Sequence, residues 1–330
     1  MLAKTALLYT ALGVAPSFSL AQEVQAGVSA GSACVELARN AQFVTVVKAQ
    51  ALGDALSKYL RGGANPAEEE CAGIAFSIRA AFFAVSGRLD EAEFDAQRSL
   101  DILGKSHSSN DRILLRPLHT LAVVRFELGK VAQARQANRR LQLIHTERPE
   151  EQAIVHTMSG TLLRADGRLK EAESEYLEAL EMIREAGRGE SSDAASIFNA
   201  LALAYIEGRQ YDEARRALDR QMAILQTAKD GVAMDRIAVL AALGALHFRL
   251  HQWLDAVQDL GAALSIADRD NLLYPALAAK LLPGYAIVLR KVHRRTEARS
   301  IEARAATYRH HVTGDALVDV SELAAKSRLK

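Results

Sequence analysis

The sequence predicts an all-α protein, a right-handed α-solenoid built from repeated helical hairpins. Three observations support this prediction. A short phrase recurs about every 42 residues, a small residue stands at a fixed distance before it, and the composition is rich in Ala and Leu with only 5% aromatic residues. Self-similarity at periods of ~20–50 residues is typical of solenoids. A net charge of +1 over 330 residues gives no indication of a nucleic-acid or anionic-membrane partner.

Residues 1–21 are predicted to be a signal peptide that is removed on export. Lys4 gives a positive start, residues 6–20 are apolar and uncharged, and Ser19-Leu20-Ala21 supplies the small residues that a signal peptidase requires. The run is shorter than the ~20 residues that span a bilayer. The alternatives are an uncleaved anchor, which would provide the protein's only membrane contact, and no export at all. We therefore expect a periplasmic or secreted protein, from a Gram-negative bacterium judging by the short signal and the Ala/Arg-rich usage.

The two cysteines, Cys34 and Cys71, are predicted to form a disulfide, because an even pair in an oxidising compartment favours one. The repeat register places each of them near the start of a first helix in adjacent hairpins, so the bond would join the terminal hairpin to the array. Lipidation of Cys34 is the competing interpretation. The Gly-Ser-Ala-Cys sequence that ends there loosely resembles an acylation site, although it lacks the large aliphatic residue at −3.

The repeated phrase consists of a turn residue, an apolar residue two places later and an alanine five places later. The turn residue is Gly87, Gly129 or Gly167 in the first three copies, whereas the last three copies lack the glycine. The six alanines are Ala92, Ala134, Ala172, Ala214, Ala256 and Ala298. Twelve places before each of them stands a small residue, namely Ala80, Ala122, Gly160, Ala202, Gly244 and Ala286. Small residues at both places allow two helices to approach closely within a hairpin.

This pattern resembles the tetratricopeptide repeat (TPR) from about residue 73 to residue 310. Leu243-Gly244 and the Leu201-Ala202-x-x-Tyr205 segment match the first-helix signature of that family. The spacing of 42, in place of about 34, is similar to the kinesin-light-chain subclass. The chain departs from the family at four places that usually hold apolar residues, namely Arg79, Arg125, His247 and Glu302.

The register divides residues 66–310 into six hairpins, and a degenerate hairpin over residues 31–61 is predicted to precede them. Leu37-Ala38 fits the first-helix signature of this extra hairpin, but Gln50 stands where its second helix should have alanine. A single long helix or irregular structure is the alternative for that segment. Beyond residue 310 the period stops, and residues 311–330 are predicted to cover the open end of the stack.

No catalytic, cofactor or metal site is recognisable, so the protein is predicted not to be an enzyme. Gly104-Lys105-Ser106 lacks the earlier glycine of a phosphate-binding loop and should end a helix. His247 and His251 are four apart on one helix, as two metal ligands could be, but no third ligand has a useful spacing. We expect them to be a partly exposed pair at a helix end.

The resemblance implies that the first helices of successive repeats line a concave groove, which would hold another protein or an extended peptide. Counting from the small residue of each first helix predicts the groove residues Arg116, His119, Phe126, Arg164, Asn199, Leu203, Ile206, Phe248, Arg249, Lys280, Arg290 and Lys291. Six of these are basic, which would suit an acidic partner, although the need to solvate a helix face explains the charges slightly better. The predicted function is an exported scaffold or adaptor, and the alternative is a regulatory or sensor subunit that binds a small peptide.

Overall fold

The computed structural model describes residues 66–227 and 233–308. Within these ranges the chain forms twelve α-helices and one short 3-10 helix (Arg112–Leu114), and no strand. The helices are α1 (Pro66–Val85), α2 (Leu89–Leu103), α3 (Leu115–Glu127), α4 (Val131–Leu141), α5 (Pro149–Ala165), α6 (Leu169–Glu185), α7 (Ser192–Glu207), α8 (Tyr211–Thr227), α9 (Ala233–Arg249), α10 (Trp253–Arg269), α11 (Pro275–Lys291) and α12 (Arg295–Tyr308). Each odd-numbered helix packs against the even-numbered helix that follows it, and α1, α3, α5, α7 and α9 also contact one another in series. The predicted all-α solenoid of helical hairpins is confirmed.

The turn inside each hairpin contains one residue in the left-handed backbone conformation. Gly87, Gly129 and Gly167 adopt it in the first three hairpins, with φ between +70° and +74°. In the last three hairpins the same place holds Arg209, His251 and His293, with φ between +61° and +64°. The left-handed conformation costs a residue with a Cβ about 1–2 kcal/mol. The turn keeps its shape without glycine because the two helices that it joins are already held by packing.

Small residues set the closeness of the two helices in a hairpin. The alanines of the repeated phrase are fully buried, and so are their partners in the first helices. A Cβ on Gly160 would lie 2.7 Å from the ring of Tyr176, and one on Gly244 would lie 2.7 Å from Cγ of Leu260. Glycine therefore replaces alanine in two first helices whose facing helix presents a large side chain.

The four departures from the apolar family pattern have polar partners on neighbouring helices. The pairs are Arg79 with Asp95, Arg125 with Glu93, His247 with Asp259 and Arg290 with Glu302. Charge-assisted hydrogen bonds thus replace apolar contacts at these places. The expectation of a partly exposed histidine pair is wrong for His247, which is only 9% exposed. Its Nδ1 lies 2.6 Å from a carboxylate oxygen of Asp259.

The two ends of the described array meet. Tyr274, the residue before α11, packs over the first hairpin turn so closely that a Cβ on Gly87 would lie 2.2 Å from its Cγ. Lys280 of α11 donates a hydrogen bond to Glu127 of α3, although 153 positions separate them. We call these two contacts, Gly87 with Tyr274 and Glu127 with Lys280, the clasp. The clasp joins the last hairpin to the first two, so the array curls back on itself.

Several predicted features lie outside the described residues: the signal peptide (1–21), the degenerate hairpin (31–61), the terminal segment (311–330) and the side chains of the Cys34–Cys71 disulfide. Among the helices that are described, none combines the length and the apolar character needed to cross a membrane.

Candidate functional site

The inner side of the array contains two adjoining chambers. The first has a volume of about 260 Å³ and is lined by residues of α1 to α3 and α7 to α11. The second has a volume of about 230 Å³ and is lined mainly by α3, α5 and α7. Both are bounded by Val123, Glu127, Ser196 and Asn199, so they form one continuous groove along the first helices.

The first chamber is mainly apolar and is closed on one side by the clasp. Its walls include Leu203, Leu277 and Leu281, together with an alanine-rich face of α9. The clasp residues Tyr274, Glu127 and Lys280 also line it. Burial raises the pKa of the Tyr274 phenol, and the nearby Glu127 carboxylate raises it further. The phenol therefore stays protonated and can donate a hydrogen bond.

The second chamber is more polar. Burial lowers the pKa of His119 to about 4, so its imidazole is neutral at pH 7. Arg164 donates from Nη1 to Oε1 of Glu207 at 2.5 Å. Burial raises the pKa of Asp193 to about 6, against the opposing effect of Arg188, whose Nη2 lies 2.5 Å from the carboxylate.

Some buried polar atoms along the groove have no hydrogen-bond partner among the described residues. They include Oδ1 of Asn199, Nδ1 of His119 and Nε of Arg164. Buried polar atoms in folded proteins are nearly always paired with protein, water or ligand. Apolar walls with a few convergent polar atoms are typical of a binding site. In the part of the chain that the structure describes, no three His, Cys, Asp or Glu side chains are grouped as metal ligands would be.

The twelve groove residues predicted from the sequence fall into three groups. Those that line the chambers are His119, Phe126, Arg164, Asn199, Leu203 and Lys280. Ile206 and Phe248 belong to the buried core. Arg116 and Arg249 are half-buried outside the chambers, while Arg290 and Lys291 are exposed.

The counting rule gives different results at one and the same place in successive first helices. Ile206 and Phe248 come four residues after Ala202 and Gly244 and are buried in the core. The same place holds Phe126 and Arg164, which line the second chamber, and Arg290, which is exposed, so the helical period alone does not decide whether this place meets the groove. The predicted positive charge of the groove is also reduced, because Arg164 and Lys280 already form ion pairs with glutamates.

Sequence reasoning missed Gln221 and Tyr274, both of which line the first chamber. Gln221 lies on α8, a second helix, whereas the predicted groove consisted of first-helix residues alone. The sequence did contain a signal for Gln221. The place seven residues after the repeated alanine holds a small or apolar residue in each of the other five hairpins. Tyr274 has no such signal, because its role depends on a contact with the other end of the array.

The fold and the groove define a helical-repeat solenoid with an interior cleft. Residues 151–229 match the tetratricopeptide repeat family, and they correspond to α5 to α8. No curated protein matches the sequence. The family match therefore covers two of the six described hairpins, α5 with α6 and α7 with α8.

Three solved structures are similar to this chain in fold. The apo form of RapI is 12% identical, with a TM-score of 0.59 over 80% of this chain and 90% of that one. A Rap protein complexed with competence and sporulation factor is 14% identical, with a TM-score of 0.53 over 92% and 94%. The Cut9–Hcn1 hetero-tetramer of the APC/C is 11% identical, with a TM-score of 0.59 over 98% of this chain but only 53% of that one. At these identities the likeness shows the fold.

Proposed function

We propose that this protein is an exported scaffold or adaptor, built from repeats of the 42-residue kinesin-light-chain-like type, that holds a partner protein or extended peptide against its inner face. The observation that supports this most directly is the continuous groove, which is bordered both by apolar walls and by residues with buried, unpartnered polar atoms. The fold is compatible with such a role, since a Rap protein of the same fold has been solved with competence and sporulation factor.

The groove favours a partner segment that is mainly apolar. Leu203 and Val123 offer apolar contact, and Asn199 borders both chambers with a polar side chain. An acidic partner is supported less strongly, because Arg164 and Lys280 are already engaged by Glu207 and Glu127. We therefore expect salt to weaken binding only slightly.

The capture experiment uses a photo-crosslinking residue at one of two positions. Val123 lines both chambers, whereas Leu254 is 75% exposed on the outer helix α10. We expect the residue at position 123 to crosslink a partner in a periplasmic extract and the residue at position 254 not to. Mass spectrometry identifies the crosslinked protein, which is then purified and its affinity measured directly.

A blocking substitution provides the control. Val123→Arg should abolish binding of the purified partner, because it fills the junction of the two chambers, while Leu254→Arg should leave it unchanged. Circular dichroism confirms that both variants fold. Equal binding by both variants would place the contact outside the groove and contradict the proposal.

Export is a separate part of the proposal, supported by the Ser19-Leu20-Ala21 cleavage sequence. Intact-mass measurement of the protein recovered from its native host should give a chain that lacks residues 1–21. A chain that begins at Met1 would refute cleavage, and a lipid adduct on Cys34 would support the lipoprotein interpretation.

A second candidate function is a regulatory or sensor subunit with a small peptide ligand. The clasp favours it, because Tyr274 and Lys280 close one side of the first chamber. A sensor should change its radius of gyration in small-angle scattering when the peptide binds. A scaffold should retain its partner without that change.

A further inference from the structure

Gln221 departs from the pattern of its own repeat. It lies on α8, seven residues after the repeated alanine Ala214. The same place in the other hairpins holds Ser99, Leu141, Ala179, Ala263 and Ala305. Packing of the repeat therefore calls for a small or apolar side chain here, and a long amide must have another role.

The amide of Gln221 is buried and unmatched. The residue is 0% exposed, and neither Nε2 nor Oε1 has a hydrogen-bond partner among the residues that the structure describes. Ser99, at the equivalent place in the first hairpin, donates to the carbonyl of Gly73 at 2.7 Å. An unpaired buried amide destabilises the fold, so its presence in the core indicates a group that pairs with it.

The chamber that Gln221 lines defines the size and character of that group. Its volume of about 260 Å³ is far more than one water needs, about 30 Å³. It is slightly below the ~300 Å³ at which pockets for drug-sized ligands begin. Ala241, Ala242, Ala245 and Leu281 make the surrounding wall apolar.

We propose that the first chamber binds a small, mainly apolar molecule that carries one amide group, with Gln221 as its polar anchor. Because the amide has no accessible surface without a ligand, the Gln221 side chain turns towards the chamber on binding. Nε2 then donates to the ligand carbonyl and Oε1 accepts from the ligand N–H, which satisfies both atoms at once. The apolar part of the ligand contacts the alanine and leucine wall. The inference rests on the proposed function only in that both use the inner face of the array. No partner protein is needed for this site.

The test uses two probes of nearly equal shape and the purified protein. Hexanamide carries both a donor and an acceptor, whereas methyl hexanoate carries only acceptors. The side-chain NH2 signal of Gln221 in an NMR spectrum, assigned by its loss in Gln221→Met, reports on the site directly. We expect hexanamide to shift this signal saturably at millimolar concentration, and methyl hexanoate to bind about tenfold more weakly.

Two substitutions separate the anchor from a general effect. Gln221→Met keeps the length of the side chain but removes its hydrogen bonds. It should weaken hexanamide binding about tenfold and, because an unpaired amide is removed from the core, raise the melting temperature by about 2–4 °C. Gln133→Met, at an exposed glutamine on α4, should change neither quantity.

Three results would overturn the inference: no saturable shift of the Gln221 signal, equal affinity for amide and ester, or undiminished hexanamide binding by Gln221→Met. The first of these would indicate that only water occupies the chamber. Failure of the crosslinking experiment with hexanamide binding intact would refute the scaffold function and leave this site standing. Successful crosslinking without hexanamide binding would refute the amide site and leave the scaffold function standing.

Discussion

Each hairpin turn of this solenoid depends on the left-handed backbone conformation of one residue. Gly167 has φ of +74°, and a Cβ placed on it would meet nothing within 4 Å. Gly189 also has open space around it, but its φ is outside the left-handed region. Neither glycine is crowded, so a comparison of the two isolates the cost of the left-handed backbone conformation.

We expect Gly167→Ala to lower the free energy of unfolding by about 1 kcal/mol, because an alanine must adopt the left-handed conformation. Gly189→Ala should be neutral or slightly stabilising, since it restricts only the unfolded chain. Urea denaturation of both variants measures the difference. Equal effects of the two substitutions would mean that φ does not determine the cost.

The buried imidazole of His119 makes the stability of the fold depend on pH. Its folded-state pKa of about 4 lies below the value of about 6.5 in an unfolded chain. Above pH 6.5 both states are neutral at this site. As the pH falls from 6.5 towards 4, His119 binds a proton in the unfolded state but not in the folded state. The free energy of unfolding therefore decreases over that pH range.

We expect the wild-type protein to lose about 2 kcal/mol more stability than His119→Leu when the pH is lowered from 7 to 5. Asp193, whose pKa is raised to about 6, acts in the opposite direction, but it is common to both proteins and cancels in the comparison. Urea denaturation at each pH provides the free energies. Parallel pH profiles for the two proteins would show that His119 is not the group responsible.

At the scale of the element, each hairpin is a packing unit whose closeness is set by one pair of facing positions. Gly160 on α5 faces Tyr176 on α6, which is fully buried and whose hydroxyl donates to Thr161 at 3.3 Å. In an open helix, replacing glycine with alanine stabilises by about 1 kcal/mol. Here the new Cβ would lie 2.7 Å from the ring, so overpacking opposes that gain.

Gly160→Ala should therefore destabilise the protein, by about 1–3 kcal/mol. Combining it with Tyr176→Ala should cost less than the sum of the two single changes, because the smaller side chain makes room for the methyl group. A double-mutant cycle from thermal or urea unfolding measures this coupling. A stabilising Gly160→Ala would show that the helices separate freely.

The hairpins could be predicted from the sequence because their contacts are local and periodic. The pairing of small residues such as Ala202 and Ala214 follows from spacing alone, and the turn positions follow with it. The groove was predicted only in part. Ile206 was placed in the groove by the same count that placed Phe126 and Arg164, which do line a chamber. Gln221 was missed because it lies on a second helix.

At the scale of the whole molecule, curvature determines which distant residues meet. Each hairpin is rotated slightly against the last, and these rotations add along the array. Their sum brings Lys280 to Glu127 and Tyr274 to Gly87. A sequence does not reveal this sum, because a small error at each interface accumulates over the whole array. The clasp is therefore a property of the assembled solenoid.

The clasp can be tested by reversing one charge. Lys280 is 10% exposed and Glu127 is 25% exposed at the side chain, so their ion pair is partly buried. Glu127→Lys places two ammonium groups side by side and should cost about 3 kcal/mol, the lower end of the range for a broken buried pair. The ends of the array should separate, which small-angle scattering would record as a larger radius of gyration.

The double exchange Glu127→Lys with Lys280→Glu restores opposite charges at the same two places, so it should return both the stability and the radius of gyration towards the wild-type values. Arg290→Glu is a matched control, because it breaks an exposed pair with Glu302 on the last hairpin, far less costly than a buried one. It should leave the radius unchanged. If Glu127→Lys also leaves it unchanged, apolar packing of Tyr274 on the first turn suffices to hold the ends together, and the ion pair only adds to it.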